Sequence, residues 1–325
     1  MKSVSFFAPG KLFIAGEYTV LRGGLALLLP IQWGINVTIK PSKLWRITNP
    51  SFQNGMQTYP SITAFPPSVI QSTLKLFARY LSSLNLPLKP GAIRIDSDLG
   101  TQAEKYGLGS SGAIIIALLG ALATFHELSL SPIELYQLGV MVAYDSHREQ
   151  SFADLAISAF QMPLQYRAPT FNHPFDPSLH HLFQQDWQGL LIQPWAFTLP
   201  NPWVVFTNQP ADSKTIVPTI LAGTPQQVWK NKVNQANDLI NHFIKQPTVD
   251  MIEDFNQLLL SLDQNEKLYT PAMKTLKQLT EQHHAFAKPS GAGGGDCMLV
   301  WPSQTTNQRL LKKLLKKQFK ILTVF

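Results

Sequence analysis

The stretch that decides the fold lies at residues 105–113 and reads Lys105-Tyr106-Gly107-Leu108-Gly109-Ser110-Ser111-Gly112-Ala113. It leads without a polar break into an apolar run that ends at Phe125. Glycine lets backbone amides approach a ligand closely, and a helix start carries free N–H groups with a partial positive charge. The stretch therefore predicts a glycine-serine turn followed by a buried helix, with an anion such as phosphate at the helix N-terminus.

Two better-known phosphate motifs do not fit this turn. No Gly-Lys-Ser/Thr closes it, which excludes a P-loop, and Gly112 sits one position early for the dinucleotide-binding fingerprint. The simpler alternative is an ordinary helix that a serine caps after a turn.

A second glycine-rich stretch lies near the C-terminal end and reads Ser290-Gly291-Ala292-Gly293-Gly294-Gly295-Asp296-Cys297. A flexible linker is one interpretation of such a run. However, the run continues directly into apolar residues up to Trp301, which predict a strand. We therefore favour a shaped loop near a ligand.

Two shorter segments carry charged candidates. Lys11 follows Pro9-Gly10, and Asp154 follows Ser151 just before an apolar stretch. A lone lysine is usually solvated, and an aspartate at such a position is commonly a helix cap. Their functional interest depends on the two glycine-rich stretches.

Three segments, in this order, resemble the signature motifs of the GHMP kinases. They are Pro9-Gly10-Lys11 with Gly16-Glu17, then residues 107–112, then residues 290–296. Below they are called the first, second and third motif. The ordered triple is far more specific than any one motif, and the resemblance spans nearly the whole chain.

The resemblance implies an α+β, two-domain GHMP kinase fold. Residues 1–200 would form an ATP-binding domain like domain 2 of ribosomal protein S5, and residues 201–325 a ferredoxin-like domain. The active site would lie between them.

Within the family, the bacterial phosphomevalonate kinases are the members most resembled, through Tyr18 after Glu17, Lys105-Tyr106 before the second motif, and Lys288-Pro289 before the third. This implies transfer of the γ-phosphoryl group of ATP, with Mg²⁺, to 5-phosphomevalonate in isoprenoid biosynthesis. The alternatives are a mevalonate kinase or another GHMP small-molecule kinase, and a nucleotide-binding homologue without catalysis.

The resemblance also implies roles for individual residues. Lys11 would stabilise the transferred phosphoryl group, Asp154 would face the acceptor oxygen, and Ser111 would bind Mg²⁺. The expected ATP-binding residues are Lys105, Gly107, Leu108, Gly109, Ser110, Ser111, Gly112 and Ala113. The expected substrate-binding residues are Glu17, Tyr18, Ser151, Ser213, Lys214, Ser290, Gly291, Ala292, Gly293, Gly294 and Asp296.

One stretch departs from the family pattern. Related enzymes typically carry Gln-Gly-Asn-Gly-Ser where this chain has His147-Arg148-Glu149-Gln150-Ser151. Both glycines are lost and a charge pair appears. Glu149 or Asp145 is a candidate for a second Mg²⁺ carboxylate.

Composition limits the alternatives. The chain has 325 residues, a net charge of +7 and one cysteine, Cys297, so it forms no internal disulfide. Residues 1–7 lack the long apolar region of a signal peptide, and the longest apolar run is too short to span a bilayer. We expect a cytoplasmic monomer or homodimer with small-molecule substrates, and neither a nucleic-acid nor a membrane partner. The basic segment 304–318 is expected to be the solvated side of an amphipathic helix.

Local patterns add further expectations. Two short strands are expected on either side of a turn at Pro9-Gly10, and residues 207–215 are expected to be a polar loop. Ser131 and Glu134 form a capping-box pattern before a helix. Further helices are expected at about 225–245, 249–265 and 270–285.

Overall fold

A computed structural model describes residues 2–50, 55–101, 104–144, 150–171, 183, 187–263 and 267–325. Its strands are β1 Val4–Ala15, β2 Ala26–Pro41, β3 Trp45–Thr48, β4 Met56–Tyr59, β5 Gly91–Ser97, β6 Leu164–Arg167, β7 Leu191–Pro194, β8 Trp203–Phe206, β9 Ala285–Pro289, β10 Cys297–Pro302 and β11 Lys320–Leu322. Its α-helices are α1 Val69–Ser83, α2 Ser110–Phe125, α3 Pro132–Tyr144, α4 Ala153–Phe160, α5 Ser213–Gly223, α6 Gln226–Lys245, α7 Met251–Leu260, α8 Pro271–Gln282 and α9 Gln308–Leu315. Short 3₁₀ turns occupy Thr19–Arg22 and Ile62–Ala64.

The first sheet is built around the long strand β2. Strand β1 pairs antiparallel with β2 along its length, while β5 and β6 pair with different parts of β2. The full order is β4-β3-β5-β2-β6-β7, with β1 joined to β2. Among the described strand pairs of this sheet only β3 and β5 run parallel, so the sheet is mixed.

Helix α2 is the centre of the first core. It contacts β1 and β2 as well as α1, α3 and α4, and most of its side chains are buried. A helix that is apolar all round can be stable only when it is enclosed in this way. Its N-terminus opens at Gly109, directly after the glycine-serine turn.

The second sheet is antiparallel and has the order β11-β8-β10-β9. Helices α5, α7, α8 and α9 contribute buried side chains to a second core that includes Val205, Met298 and Leu311. The chain is thus an α+β protein with two sheets, as expected. The proposed boundary near residue 200 falls between β7 of the first sheet and β8 of the second.

The expected turn at Pro9-Gly10 is wrong, because β1 is one strand of 12 residues. A register shift against β2 lies between Pro9 and Lys11, so the proline occupies an irregularity in the strand. The Pro9 carbonyl accepts a hydrogen bond from Ser158 Oγ (2.8 Å). Strand β1 therefore continues through Pro9-Gly10, and Lys11 is a buried residue of this strand.

The expected polar loop at 207–215 is wrong at its end, because α5 begins at Ser213. Pro218 lies inside this helix. Proline normally interrupts a helical pattern, so the segment carried no clear helix signal. The helix is retained because Ile216, Ile220 and Leu221 are buried in the second core.

Helix α9 turns its apolar side inward. Leu311 and Leu315 belong to the second core, while the basic side chains Lys312, Lys313 and Lys316 are exposed. Of the helices in the described ranges, none has the length and apolar character needed to cross a bilayer.

Candidate active site

The first and second motifs are in direct contact at Lys11. The Lys11 backbone N–H donates to the Leu108 carbonyl (2.8 Å), and Lys11 Nζ donates to the Gly107 carbonyl (3.5 Å). Gly10 permits this approach, because a Cβ there would lie 2.7 Å from the Leu108 oxygen. Strand β1 therefore places a lysine side chain against the glycine-serine turn.

Lys11 is a buried cation. The residue is only 8% exposed, and its ammonium lies 4.8 Å from the Phe13 ring centroid. Burial lowers the pKa of Lys11 below its ordinary value, and the negative charges of Asp154 and Asp296 partly oppose that shift. The charged form of Lys11 is therefore destabilised in the ligand-free protein. A bound anion would stabilise it, which is what we expect of an anion-binding site.

The glycine-serine turn has the backbone that glycine permits. Gly107 and Gly109 have φ angles of 71° and 85°, in the left-handed region. Ser110 and Ser111 follow as the exposed first residues of α2. The side chains of Leu108 and Ala113 are buried, so these two residues can offer a ligand only backbone groups. Lys105 is exposed and forms a β-bridge with Gly100.

Asp154 lies across the start of α2. Its Oδ2 accepts hydrogen bonds from the Gly112 N–H (3.0 Å) and from Ser111 Oγ (3.1 Å), and its Oδ1 accepts from the Leu155 N–H (3.0 Å). Small residues are needed here, because a Cβ on Gly112 would lie 2.6 Å from Asp154 Cγ. The aspartate is thus held at the same helix N-terminus as the turn.

A buried tyrosine pair supports the segment before Asp154. Tyr166 donates its hydroxyl to the Ser151 carbonyl (2.6 Å) and contacts the Tyr136 hydroxyl (2.9 Å). Burial raises the pKa of both phenols, so they remain neutral. Sequence patterns did not identify this pair, because Tyr136 and Tyr166 lie in a helix and a strand that look like ordinary core elements.

The third motif meets the second through Asp296. A Cβ on Gly107 would lie 2.1 Å from Asp296 Oδ2, so only glycine allows this contact. Asp296 Oδ1 accepts from the Ala211 N–H (2.9 Å), and its backbone is tied to Thr207 and Gln209. Burial raises the pKa of Asp296, while the Ala211 hydrogen bond and Lys11 act in the opposite direction.

The segments around the first and third motifs are joined by three polar contacts. Lys288 Nζ donates to Glu17 in a buried ion pair, the Phe13 N–H donates to Ser290 Oγ (3.0 Å), and the Tyr18 hydroxyl donates to the Ala292 carbonyl (2.6 Å). Among these residues, Glu17, Tyr18 and Ser290 were expected to bind substrate. Their polar groups are engaged by the protein, and Lys288, which sequence reasoning did not single out as a site residue, is completely buried.

The glycines of the third motif lie beside Lys11 and beside α5. A Cβ on Gly291 would lie 3.6 Å from Lys11 Nζ, and one on Gly294 would collide with Ile216. Gly291 and Ala292 are partly exposed, whereas Gly293 and Gly294 are buried. Ser213 and Lys214 are exposed in the first turn of α5, one turn or less from Ile216.

Ser111 and Asp154 are the described side chains that could hold a magnesium ion at this helix N-terminus. Their oxygens are 3.1 Å apart at the start of α2. A hydroxyl and one carboxylate suit Mg²⁺, which usually takes its remaining ligands from water and substrate phosphates. In the described part of the chain, no group of three or more His, Cys, Asp or Glu side chains could hold a metal by itself. Asp145 and Glu149, the candidates for a second carboxylate, and His147 and Arg148 lie outside the described residues.

Comparison with known proteins identifies the family to which the chain belongs. Residues 68–162 match the N-terminal domain of GHMP kinases, and residues 250–321 match their C-terminal domain. The chain is 26% identical to a phosphomevalonate kinase of a Streptomyces species, over 89% of this chain and 87% of that one. It is 28% identical to a mevalonate kinase of Aeropyrum pernix, but over only 49% of each chain.

A solved structure extends the comparison to the whole fold. Phosphomevalonate kinase of Streptococcus pneumoniae, in complex with phosphomevalonate and AMPPNP, superposes with a TM-score of 0.83 and 26% identity. The superposition covers 99% of this chain and 98% of that one. The chain is therefore similar to phosphomevalonate kinases over most of its length, and it belongs to the GHMP kinase family.

Proposed function

We propose that this protein is an ATP-dependent kinase that phosphorylates 5-phosphomevalonate to 5-diphosphomevalonate. The observation that carries the proposal is the convergence of three sequence-distant motifs on one buried lysine. Lys11 contacts the second motif directly, lies beside Gly291 of the third, and is attracted by Asp154 and Asp296. The full-length similarity to enzymes with this activity supports the choice of acceptor.

In the proposed reaction, an oxygen of the acceptor phosphate bonds to the γ-phosphorus of ATP. The bond from that phosphorus to the β,γ-bridging oxygen breaks, and ADP leaves with the electron pair. Phosphoryl transfer of this kind depends on alignment and on neutralisation of charge. Because both reactants are anions, the protein must first offset their mutual repulsion.

The start of α2 is the proposed triphosphate site. The turn at Gly107–Gly109, the exposed Ser110 and Ser111 and the helix N-terminus offer amides and hydroxyls to phosphate oxygens. Ser111 and Asp154 would hold Mg²⁺, which neutralises phosphate charge when bound. Exposed Lys105 is positioned to add a further positive charge near the nucleotide.

Lys11 is proposed to stabilise the transferred phosphoryl group. Its ammonium is largely removed from water, so its interaction with developing negative charge is only weakly screened. Asp154 is proposed to orient the acceptor rather than remove a proton, because a phosphate acceptor is already ionised near neutral pH. The three hydrogen bonds to its carboxylate suit that fixed role.

The acceptor is proposed to lie between the third motif and α5. Gly291 and Ala292 are partly exposed next to Lys11, and Ser213 and Lys214 open the first turn of α5. A helix N-terminus with a lysine and a hydroxyl suits the phosphate that the acceptor already carries. Glu17, Tyr18 and Ser290 would shape this region through their protein contacts, and Ser151 through the segment that ends at Asp154.

A substrate panel tests the proposal. We would measure ADP release with Mg²⁺-ATP and, separately, 5-phosphomevalonate, mevalonate, homoserine and galactose. We expect turnover with 5-phosphomevalonate and at least about 100-fold lower kcat/KM with mevalonate, because Ser213 and Lys214 would then lack their phosphate partner. Turnover of mevalonate but not of its phosphate would refute the assignment, and ATP binding without ADP release would indicate an inactive homologue.

A further inference from the structure

Tyr106, the residue just before the glycine-serine turn, connects both halves of the molecule. Its side chain is buried, with its ring 5.8 Å from the Trp33 ring of β2 and 5.1 Å from the Phe206 ring of β8. The contact with Phe206 is edge-on, a favourable arrangement for two aromatic rings. One side chain therefore touches a strand from each of the two sheets.

The Tyr106 hydroxyl joins a surface ion pair. It donates to the Glu104 carboxylate and accepts from Lys320 Nζ (2.6 Å), while Lys320 Nζ also lies 2.7 Å from Glu104 Oε2. The ammonium sits 4.9 Å from the centroid of the Tyr106 ring. Lys320 is the first residue of β11, which pairs with β8. Strand β11 therefore contacts Tyr106, the residue that precedes the turn, through the Lys320 side chain.

The backbone at and after Tyr106 is hydrogen-bonded to residues of the candidate site. Its carbonyl accepts a hydrogen bond from Cys297 Sγ (3.3 Å). Cys297 is the first residue of β10 and directly follows the third motif. The next carbonyl, that of Gly107, accepts from Lys11 Nζ, and the one after, that of Leu108, accepts from the Lys11 N–H. A displacement of Tyr106 would therefore move the amides of the turn relative to Lys11.

We propose that Tyr106, Glu104 and Lys320 form a latch that positions the second motif for nucleotide binding without touching the substrates. The inference rests on the proposed function only in placing ATP at the turn. Lys320 and Glu104 are partly exposed, with 46% and 38% of their side-chain surface accessible. Such a solvent-accessible pair adds little to global stability. Its effect should therefore appear in nucleotide affinity more than in folding.

The latch can be opened without disturbing the core. Lys320→Met removes the ammonium, and Tyr106→Phe removes the hydroxyl but keeps the ring between Trp33 and Phe206. Lys320→Arg keeps a donor for both partners. Lys317→Met is the matched control, because Lys317 is an exposed lysine three residues away, and its loss changes the net charge equally.

The test is a calorimetric titration of each variant with AMPPNP and Mg²⁺. We expect Lys320→Met and Tyr106→Phe to raise the Kd by about 3- to 10-fold, the effect of losing one positioning hydrogen bond. Lys320→Arg and Lys317→Met should stay within about 2-fold of the parent protein. In steady-state assays, the KM for ATP should rise in parallel while the KM for the acceptor changes less.

Two results would overturn the latch. One is equal Kd values for Lys320→Met and Lys317→Met, which would leave only a general charge effect. The other is a fall in melting temperature for Tyr106→Phe with unchanged nucleotide affinity, which would make the contact purely structural. Because the titration needs no acceptor, failure to phosphorylate 5-phosphomevalonate would count against the proposed function alone.

Discussion

At the scale of single residues, the buried charge of Lys11 lowers the stability of the ligand-free protein, and the proposed function gives a reason for its presence. Its ammonium is buried, and the lowered pKa means that burial costs more than its acidic neighbours return. A bound triphosphate would supply the missing counter-charge.

Replacing Lys11 with Met should therefore separate activity from stability. We expect kcat to fall by about 10²- to 10³-fold, the effect of losing one preorganised charge in a site screened from water. The melting temperature of the ligand-free protein should not fall, because the buried charge that is removed is only partly compensated by its acidic neighbours. Activity assays and thermal unfolding on the same sample would check both. A variant that unfolds earlier and keeps its kcat would contradict this role.

The lowered pKa of Lys11 also predicts the pH dependence. As pH rises through that pKa, below the ordinary value of 10.5, the ammonium loses its charge and kcat/KM should fall. Stability should respond in the opposite direction. The unfolded chain keeps the proton up to a higher pH, so deprotonation of the folded protein favours folding.

Measuring kcat/KM and the unfolding midpoint across the alkaline range tests both expectations, the fall in kcat/KM and the gain in stability. Lys11→Met is the control, since its residual activity should lack the alkaline decline that Lys11 causes. A decline of the same size in the variant would assign the titration to another group.

At the scale of elements, the glycine-serine turn needs glycine for space as well as for backbone conformation. Gly107 and Gly23 have similar positive φ angles, 71° and 80°. A Cβ at Gly23 would meet nothing within 4 Å, but one at Gly107 would collide with Asp296. The two positions thus separate conformational strain from steric exclusion.

Alanine substitution at the two glycines exploits this difference. Gly23→Ala should cost about 1–2 kcal/mol of stability, from the left-handed conformation alone, and should leave kcat unchanged. Gly107→Ala should carry the same strain and, in addition, lower kcat/KM by about 100-fold by displacing the Asp296 side chain. Chemical unfolding with steady-state kinetics would measure both. Similar kinetics for the two variants would mean that the Gly107–Asp296 contact does not matter.

The ion pair of Glu17 and Lys288 joins the segment directly after β1 to β9 inside the protein. Replacing one member leaves the other charge buried without its partner. Glu17→Gln or Lys288→Met alone should therefore lower the free energy of unfolding by about 3–5 kcal/mol. The double variant should recover a large part of that loss. Urea unfolding of all four proteins gives the coupling. Additive effects of the two single changes would show that the pair is not coupled.

At the scale of the whole molecule, the site exists only in the complete fold. The contacts between the segment around the first motif and the third motif join residues that lie more than 270 positions apart, as in Phe13 with Ser290 and Tyr18 with Ala292. The second motif enters between them through Lys11 and Asp296. Each sheet supplies part of the site, and neither sheet supplies all of it.

Local sequence patterns predicted the features that local chemistry decides. The capping box at Ser131 and Glu134 is present, and α2 follows the glycine-serine turn as expected. The order of the three motifs predicted the α+β architecture through resemblance. The convergence of these motifs on Lys11 is consistent with the residues that the sequence had singled out.

Features decided by distant contacts were not predictable in the same way. Pro9-Gly10 has the composition of a turn, yet pairing with β2 keeps β1 extended. Helix α5 forms despite Pro218, because its apolar side chains enter the second core. Lys288 and Tyr166 have no motif of their own, and their partners lie in other elements.

The central claim is that the three motifs together join the γ-phosphoryl group of ATP to the phosphate of an acceptor. The most direct measurement is ³¹P NMR of the protein incubated with Mg²⁺-ATP and 5-phosphomevalonate. We expect a new pair of mutually coupled phosphorus resonances, in equal amounts, that grow with ADP and mark a P–O–P bond in the product. Release of inorganic phosphate from ATP, with the acceptor resonance unchanged, would contradict it.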